Sequence, residues 1–560
     1  MKLNPVMAID FYKSGHPFQY PKGTEVVYSN FTARGDKHAN EYKSNFWDGK
    51  VVFVGLQGFC KWFLIDLWNA EFFNKPKKKV IGAYKRRMDN ALGAGAVPVE
   101  KVAALHDLGY LPLLIKALPE GSRVDLRVPF LTVVNTHPDF YWLTNYIETV
   151  LSDELWKPCT VATIAFEYRR VLDAFVNLTG ASKEFADWQL HDFSMRGMSG
   201  VYDASTCGAA HLMVAGFGTD TVPAIDYLEN YYGANSDAEL VGGSVAATEH
   251  AVMCAGGKGD EKETIRRIIQ DVYPSGIVSV VSDTWDFWNV ITKTAAELKD
   301  VILNRTPNAL GQAKVVFRPD SGDPVEVICG LRYKKVTLLA DGKTVADIGN
   351  SAYDVDAVNV GDKFYRIEWW CDDDGQDGAE ITTEVSEAEV KGAIECLADT
   401  FGTTVNYQGY KTLNPRVGLI YGDSITLRRE TEILERLAAK GFAADNIVFG
   451  VGSYTYQHIT RDTFGMAMKA TFSRVNGEGH ELFKDPATDD GTKKSAKGLL
   501  CVTKGKDGKF ELQDQVTWAR EGEGCLSWVF FNGKMQREET LAQIRARVSE
   551  SKVAEQVPLL

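Results

Sequence analysis

The stretch RVGLIYGDSITLRRETEILERLAAKGF, residues 416–442, falls into two halves. An apolar run stops in a turn at Gly422 and Asp423, and apolar residues at helical spacing follow. A strand therefore runs into a helix. The same order recurs outward from it. AHLMVAGFGTD ends at Asp220 and is followed by TVPAIDYLENYYG; IVSVVSD ends at Asp283 and is followed by TWDFWNVITKTAAELKDVIL. AKVVFRPDSG carries Arg318 and Asp320, and NIVFGVGS ends at Gly452 and Ser453. Strand then helix, repeated, implies an α/β fold with a parallel sheet. At least five such units favour a β/α barrel over an open sheet. In barrels, function gathers at the C-terminal ends of the strands, where all of these turns fall.

The chain has 560 residues, enough for two or three domains, and its composition is that of a soluble globular protein. We expect a β/α-barrel-like catalytic domain over 151–465, interrupted by a β-rich insertion over 331–410. There KKVTLLADGKTVADIG reads as two strands around an Asp-Gly turn, ahead of DKFYRIEWWCDDDG. Segments 1–150 and 466–560 are expected to pair as one α+β domain. TEVVYSNFTAR and KGLLCVTKGKDGKFELQ read as strands, the latter turning at Asp507-Gly508, and ETLAQIRARVSE as a closing helix. A net charge of −13 argues against a nucleic-acid binder but not against a locally basic site. The start MKLNPVMAIDFYKSG has no apolar leader core, and no run is long enough to span a membrane. Nine dispersed cysteines read as reduced thiols, so a cytoplasmic protein is expected.

The turns supply Asp220, Asp283, Arg318, Asp320, Asp423 and several glycines, and HDFSMRGMSG adds Arg196. Glycine turns let backbone N–H groups approach an anion, and arginine grips phosphate in a fork. Carboxylates hold ribose hydroxyls or hydrated Mg²⁺. Together these describe a site for a phosphorylated sugar. A second basic set lies downstream, with Arg461 and Lys469 in QHITRDTFGMAMKATF and Lys484, Lys493 and Lys494 in LFKDPATDDGTKKSAKG. In SVAATEHAVM a strand end enters a helix, which places His250 on the same rim as Asp283. An imidazole held by a carboxylate has a fixed tautomer; it can accept a phosphoryl group or act as an acid/base. A core or capping histidine is the other reading.

IDFYKSGHPFQYP, HDFSMRGMSG, GTDTVPAIDYLENYYG, SVAATEHAVM, VSVVSDTWDFWN, FRPDSGDP, YGDSIT, ITRDTFGMAMK and LFKDP, taken together and in this order, resemble the nicotinamide phosphoribosyltransferase family. The resemblance implies a type II phosphoribosyltransferase fold and a homodimer with two shared active sites. It implies the reaction of nicotinamide with phosphoribosyl pyrophosphate, with Mg²⁺, and with ATP hydrolysis coupled through phosphorylation of His250, held by Asp283. It assigns Phe193, and Tyr12 of the other subunit, to an aromatic sandwich around the pyridine ring, and Asp220 to the nicotinamide amide. Arg196 and Arg318 would line the nicotinamide and phosphate site. Asp320, Gly422 and Asp423 would meet ribose and phosphate, and Gly452, Ser453 and Arg461 the 5′-phosphate. Ser453 stands where the family has glycine. Arg34, Lys469 and Lys484 would surround the pyrophosphate and ATP phosphates, with Lys493 in a stretch of shifted spacing. The insertion is longer than in the family's animal members.

Two alternatives remain at this level: a nicotinate-using relative and a non-catalytic signalling descendant of the fold. Other conspicuous pieces read as inert. CDDDGQDG lacks a glutamate at the twelfth position of a calcium loop. NKPKKKVIGAYKRR, residues 74–87, reads as a solvated helix face, and ARGD, residues 33–36, matters only for Arg34.

Overall fold

A computed structural model describes residues 3–346, 355–371, 377–422, 424–483 and 496–552. Its central sheet runs, strand by strand, Leu190–Asp192, Ile447–Val451, Val417–Tyr421, Val315–Arg318, Val278–Val281 and Ala246–Ala247, all parallel. Isolated parallel bridges join Asp192 to Thr219 and Gly218 to Gly243. The segment around Gly218 thus stands between the two edges, and the strand segments follow one another round a barrel in chain order. Val278–Val281 and Val417–Tyr421 are buried at every position, as strands covered on both faces must be.

The apolar run in AHLMVAGFGTD is not a strand. Helix Val201–Val214 extends through it, and only the residues around Gly218 pair with the sheet. A short apolar run carries no period of its own, and here small residues let a helix pack closely. A Cβ on Gly208 would stand 2.8 Å from Ala224.

The chain's two ends interleave in one antiparallel sheet. Its order is Glu478–Glu481, Met466–Val475, Thr24–Ala33, Pro129–Asn135, Leu113–Ala117, Ser527–Phe531 and Lys534–Met535. Strands Leu499–Lys504 and Phe510–Val516 form a hairpin of their own. Helix Glu148–Thr179 feeds both units: Val150, Leu151 and Leu155 enter the core of the terminal sheet, and Ile164, Leu172 and Phe175 that of the barrel. The boundary expected at 150 therefore lies within a helix shared by both domains. Helix Leu541–Glu550, expected to close the terminal domain, instead puts Leu541, Ile544 and Val548 into the barrel core. Arg545 fixes it there, donating to the carbonyls of Leu212 (2.9 Å) and Val241 (2.6 Å).

The insertion forms a four-stranded sheet with its own small core, plus the hairpin Thr337–Leu338 with Val345–Ala346 around Asp341-Gly342. Its β-rich part ends with strand Asp377–Val385, short of 410, because helix Ala393–Phe401 already packs into the barrel core. Residues 372–376 of CDDDGQDG lie outside the described residues. The basic run at 74–87 opens helix Lys77–Leu92, which buries Val80, Tyr84 and Met88 and leaves its lysines in water. None of the nine cysteines is paired in a disulfide. Among the described residues no helix is long and apolar enough to cross a membrane.

One buried group works against the fold. Glu430, in helix Leu427–Ala439, is fully buried, and both carboxyl oxygens lack a partner among the described residues. Burial, with Asp173 nearby, pushes its pKa well above the ordinary 4.5. Above pH 4.5 the unfolded chain releases a proton that the folded chain keeps, so stability falls as pH rises toward the folded pKa. Glu430→Met is expected to stabilise by about 1–3 kcal/mol at pH 8 and by less near pH 5. Urea unfolding at both pH values checks this; an equal gain at both would show that the carboxyl does not titrate.

Candidate active site

The C-terminal ends of the barrel strands carry the rim. Strand Val278–Val281 leads to Asp283, whose side chain is only 4% exposed. Its Oδ1 meets His250 Nε2 at 3.2 Å. Its Oδ2 accepts from the Asp320 backbone N–H (2.9 Å) and from the Ser321 hydroxyl (2.6 Å). One carboxylate therefore fixes both the imidazole and the turn after strand Val315–Arg318. His250 opens helix His250–Cys254 and is 47% exposed, as expected of a residue in a first helical turn facing a cleft. Arg318 Nη2 donates to the Thr248 carbonyl at 2.9 Å. Arg318 Nε and Ser279 Oγ are buried without a partner among the described residues. Buried polar atoms are rarely left so, and on this rim a ligand would satisfy them.

Asp220 stands just past the bridge at Thr219. Its Oδ1 accepts from Ser244 Oγ at 2.5 Å and lies 3.0 Å from His191 Nε2. Oδ2 has no partner among the described residues and is left for a ligand. Burial pushes the Asp220 carboxyl up. The hydrogen bonds from His191 and Ser244, with the positive charge of Arg318, outweigh it and hold the group below its ordinary range. Phe193 follows strand Leu190–Asp192, donates its N–H to the Val451 carbonyl (3.0 Å) and lies against His191, ring centroids 4.6 Å apart. Arg196 is exposed on the short turn Met195–Gly197. His191 and Ser244 are missing from the expected set. Their signal was faint: His191 precedes Phe193 in HDFSMRG, and Ser244 opens the histidine motif.

Close packing explains the glycines. A Cβ on Gly422 would lie 2.6 Å from Asp320 Oδ1, and one on Gly450 would lie 2.6 Å from the Tyr421 carbonyl and 2.8 Å from the Phe193 ring. These two glycines let the Phe193 and Asp320 turns approach strands Val417–Tyr421 and Ile447–Val451. Gly452 precedes the short helix Ser453–Gln457, and the Ser453 side chain fills the space beside Gly197. Asp423 lies outside the described residues.

The second basic set gathers elsewhere. A cavity of about 970 Å³ opens on the terminal sheet, lined by Arg34, Lys37, His38, Arg127, Lys469 and Lys497 among others. Arg34 sits just past strand Thr24–Ala33, its Nε donating to the Gly465 carbonyl at 2.8 Å. Lys469 is placed by pairing with Asn30. Arg461 lies on the loop that brings Asp462 and Gly465 to the cavity, 3.6 Å from the Asp462 carboxylate. Lys484, Lys493 and Lys494 lie outside the described residues, between Phe483 and Ala496, which line the cavity. Among the described residues, none from the rim lines this groove. Tyr12 belongs to the terminal domain as well. It is 63% exposed on the turn Phe11–Gly15, packs against His16 and makes no ring contact with Phe193 among the described residues. One chain thus carries two separate regions: an acidic and aromatic rim, and a cationic groove.

Comparison with known proteins bears on both regions. The model of the nicotinate phosphoribosyltransferase (NAPRTase) family matches residues 188–521, and that of the nicotinamide phosphoribosyltransferase N-terminal domain matches residues 4–78. A protein of Acinetobacter baylyi named nicotinamide phosphoribosyltransferase is 54% identical, covering 98% of each chain. The chain belongs to the nicotinamide phosphoribosyltransferase family. Relatives of the same name from Mycoplasma pneumoniae and Xanthomonas campestris are 31% and 30% identical, over 89% and 98% of this chain and 95% and 99% of theirs. The fold is shared with human nicotinic acid phosphoribosyltransferase, at 15% identity and TM-score 0.53, covering 97% of this chain and 93% of that one. It is shared too with nicotinate-nucleotide pyrophosphorylase of Pyrococcus furiosus, at 14% identity and TM-score 0.50, covering 98% and 95%. The N-terminal-domain match, 4–78, holds Tyr12 and Arg34, and the match to the NAPRTase family, 188–521, holds the rim and Lys469.

Proposed function

We propose that the chain transfers the phosphoribosyl group of phosphoribosyl pyrophosphate to nicotinamide, giving nicotinamide mononucleotide and pyrophosphate. The observation that carries this choice of base is Asp220. Its carboxylate is held charged by Ser244 and His191, with no described partner at Oδ2, and the His191 ring in turn lies against Phe193. A carboxamide N–H can donate to that oxygen, whereas a nicotinate carboxylate would be repelled by it. The pyridine nitrogen attacks C1′ of the ribose as the bond from C1′ to the pyrophosphate oxygen breaks. Positive charge develops on the ribose, and negative charge departs with the leaving group. Holding the ring and stabilising the pyrophosphate supply the rate. Mg²⁺, when bound, would neutralise phosphate charge; it needs few protein ligands, and the exposed Asp320 is of the right chemistry.

The groove's cations are suited to the pyrophosphate, but they lie on a different domain from the rim. A homodimer in which each groove faces the partner's rim would assemble the two halves, with Tyr12 arriving on the same surface. The exposure of Phe11, Tyr12 and Phe18 on one short segment supports this. Asp220→Ala and Lys469→Ala chains, each inactive alone, are then expected to regain about one quarter of wild-type activity when unfolded and refolded together. No recovery in the mixed sample would show that each chain completes its own site.

ATP coupling is read at His250. With Nε2 donating to Asp283, the Nδ1 lone pair is the nucleophile. It attacks the γ-phosphorus, ADP leaves, and later hydrolysis frees phosphate. While phosphorylated, the rim carries extra fixed negative charge to organise Mg²⁺ and the departing pyrophosphate. The test is mononucleotide formation with nicotinamide and nicotinate offered in parallel, each with and without ATP. Product from nicotinamide alone, increased by ATP, is expected; turnover of nicotinate instead would overturn the role of Asp220. His250→Ala should abolish the ATP effect and leave slow transfer.

A further inference from the structure

We infer that Arg127 is a diphosphate-binding residue of the cationic groove, additional to Arg34 and Lys469. Only the identity of the diphosphate rests on the proposed function. Arg127 lies between strands Arg123–Asp125 and Pro129–Asn135 with φ of +71°. This is the left-handed region, which glycine enters without strain and a long side chain rarely occupies. Among the described residues five non-glycines have positive φ, and two of them, Arg127 and Gln515, line this one cavity.

The backbone around Arg127 is pinned. Its N–H donates to the Ala33 carbonyl at 2.7 Å, and the flanking N–H groups of Leu126 and Val128 donate to Gly49 (3.0 Å) and Asp125 (3.1 Å). Arg127 is thereby tied beside the residue that precedes Arg34. Its side chain is exposed and has no hydrogen bond or ion pair with a described residue. The two carboxylates that line the cavity bond to groups other than Arg127: Asp514 accepts from the backbone N–H of Lys497, and Asp462 lies by Arg461. A strained arginine with no counter-ion, aimed into a cavity rich in cations, has a plain use. Its fork grips two oxygens of an anion that also meets Arg34. A lysine would keep the charge and lose the fork.

The test joins two readouts that a merely structural residue would move together. Inorganic pyrophosphate is titrated calorimetrically into the full-length wild type, Arg127→Gly, Arg127→Asn and Arg127→Lys, and each protein's Tm is recorded. Arg127→Gly is expected to raise Tm, because the strain is relieved, while weakening pyrophosphate binding about tenfold. In turnover, KM for phosphoribosyl pyrophosphate should rise with it and KM for nicotinamide should not. Arg127→Lys should restore part of the affinity. Pyrophosphate affinity within twofold of wild type in both Arg127→Gly and Arg127→Asn would overturn the inference, as would a wild type that binds no pyrophosphate. A lowered Tm in Arg127→Gly, with equal loss of affinity in Arg127→Lys, would overturn it too, by assigning Arg127 to the fold. A wild type that binds pyrophosphate but forms no mononucleotide from either base would sink the proposed reaction and leave this inference to the titration.

Discussion

Asp283→Asn is expected to erase the stimulation by ATP while leaving most of the basal transfer, and Asp283→Ala to lose the stimulation and about a hundredfold of the basal kcat/KM as well. The difference follows from what the carboxylate holds. An asparagine can keep its oxygen toward the Asp320 N–H and the Ser321 hydroxyl and turn its amide toward His250. The imidazole must then accept at Nε2, so its proton moves to Nδ1 and the phosphoryl acceptor is lost. The turn that carries Asp320 stays in place. Alanine removes all three bonds and leaves water to serve donors that are themselves exposed, so nothing holds the turn in register with the imidazole. The Asp320 turn is then free to shift, and a displacement of about 1 Å is enough for the expected loss. Steady-state rates with and without ATP distinguish the two variants. Full ATP stimulation in Asp283→Asn would remove His250 from the coupling.

The second large effect concerns the choice of base. Asp220→Asn is expected to cut kcat/KM for nicotinamide about a hundredfold and to bring nicotinate within about tenfold of it. Two charges about 4 Å apart repel by about 4 kcal/mol at the effective dielectric of a protein surface, and solvent at this half-open site reduces that. On the order of a hundredfold discrimination remains, and the substitution removes its source. His191 and Ser244 enter the prediction because both bond to Oδ1. Ser244→Ala should loosen the carboxylate's orientation and raise KM for nicotinamide by a smaller factor. Competition between the two bases in one vessel gives the ratio directly. An unchanged ratio in Asp220→Asn would place the ring substituent elsewhere on the rim.

The barrel was legible because its strands are short apolar runs ending in charged turns, and Val278–Val281 and Val417–Tyr421 are such runs. Asp283, Arg318 and Asp320 could be placed on one rim for that reason. The run at Ala210–Val214 misled because a few apolar residues in a row fit a buried helix as well as a strand. The end of the insertion was missed because helix Ala393–Phe401 returns to the barrel without a break in composition. That Arg34 and Lys469 gather on a different sheet from the rim was not legible in local patterns. Arg34 and Lys469 come together through pairing between strands from opposite ends of the chain, and nothing local records which domain will hold them. Nor does composition announce Arg127, whose peculiarity is a backbone angle.

The interleaved terminal sheet imposes an order of assembly. Strand Thr24–Ala33 is made early, yet one of its two neighbours, Met466–Val475, leaves the ribosome only after the entire barrel has been synthesised. At about 5–20 residues per second that delay is tens of seconds. Throughout it the early strand offers an unpaired edge lined with apolar residues, the sort that sticks to other chains. The barrel strands, from Leu190–Asp192 to Ile447–Val451, all precede Met466–Val475 in the chain and can close first, with helix Leu541–Glu550 added later. The final strands then seal the sheet and, by the same pairing, bring Lys469 alongside the early strand. Completion of the groove is thus among the last events of synthesis, and chain-binding chaperones have a long window in which to guard that edge.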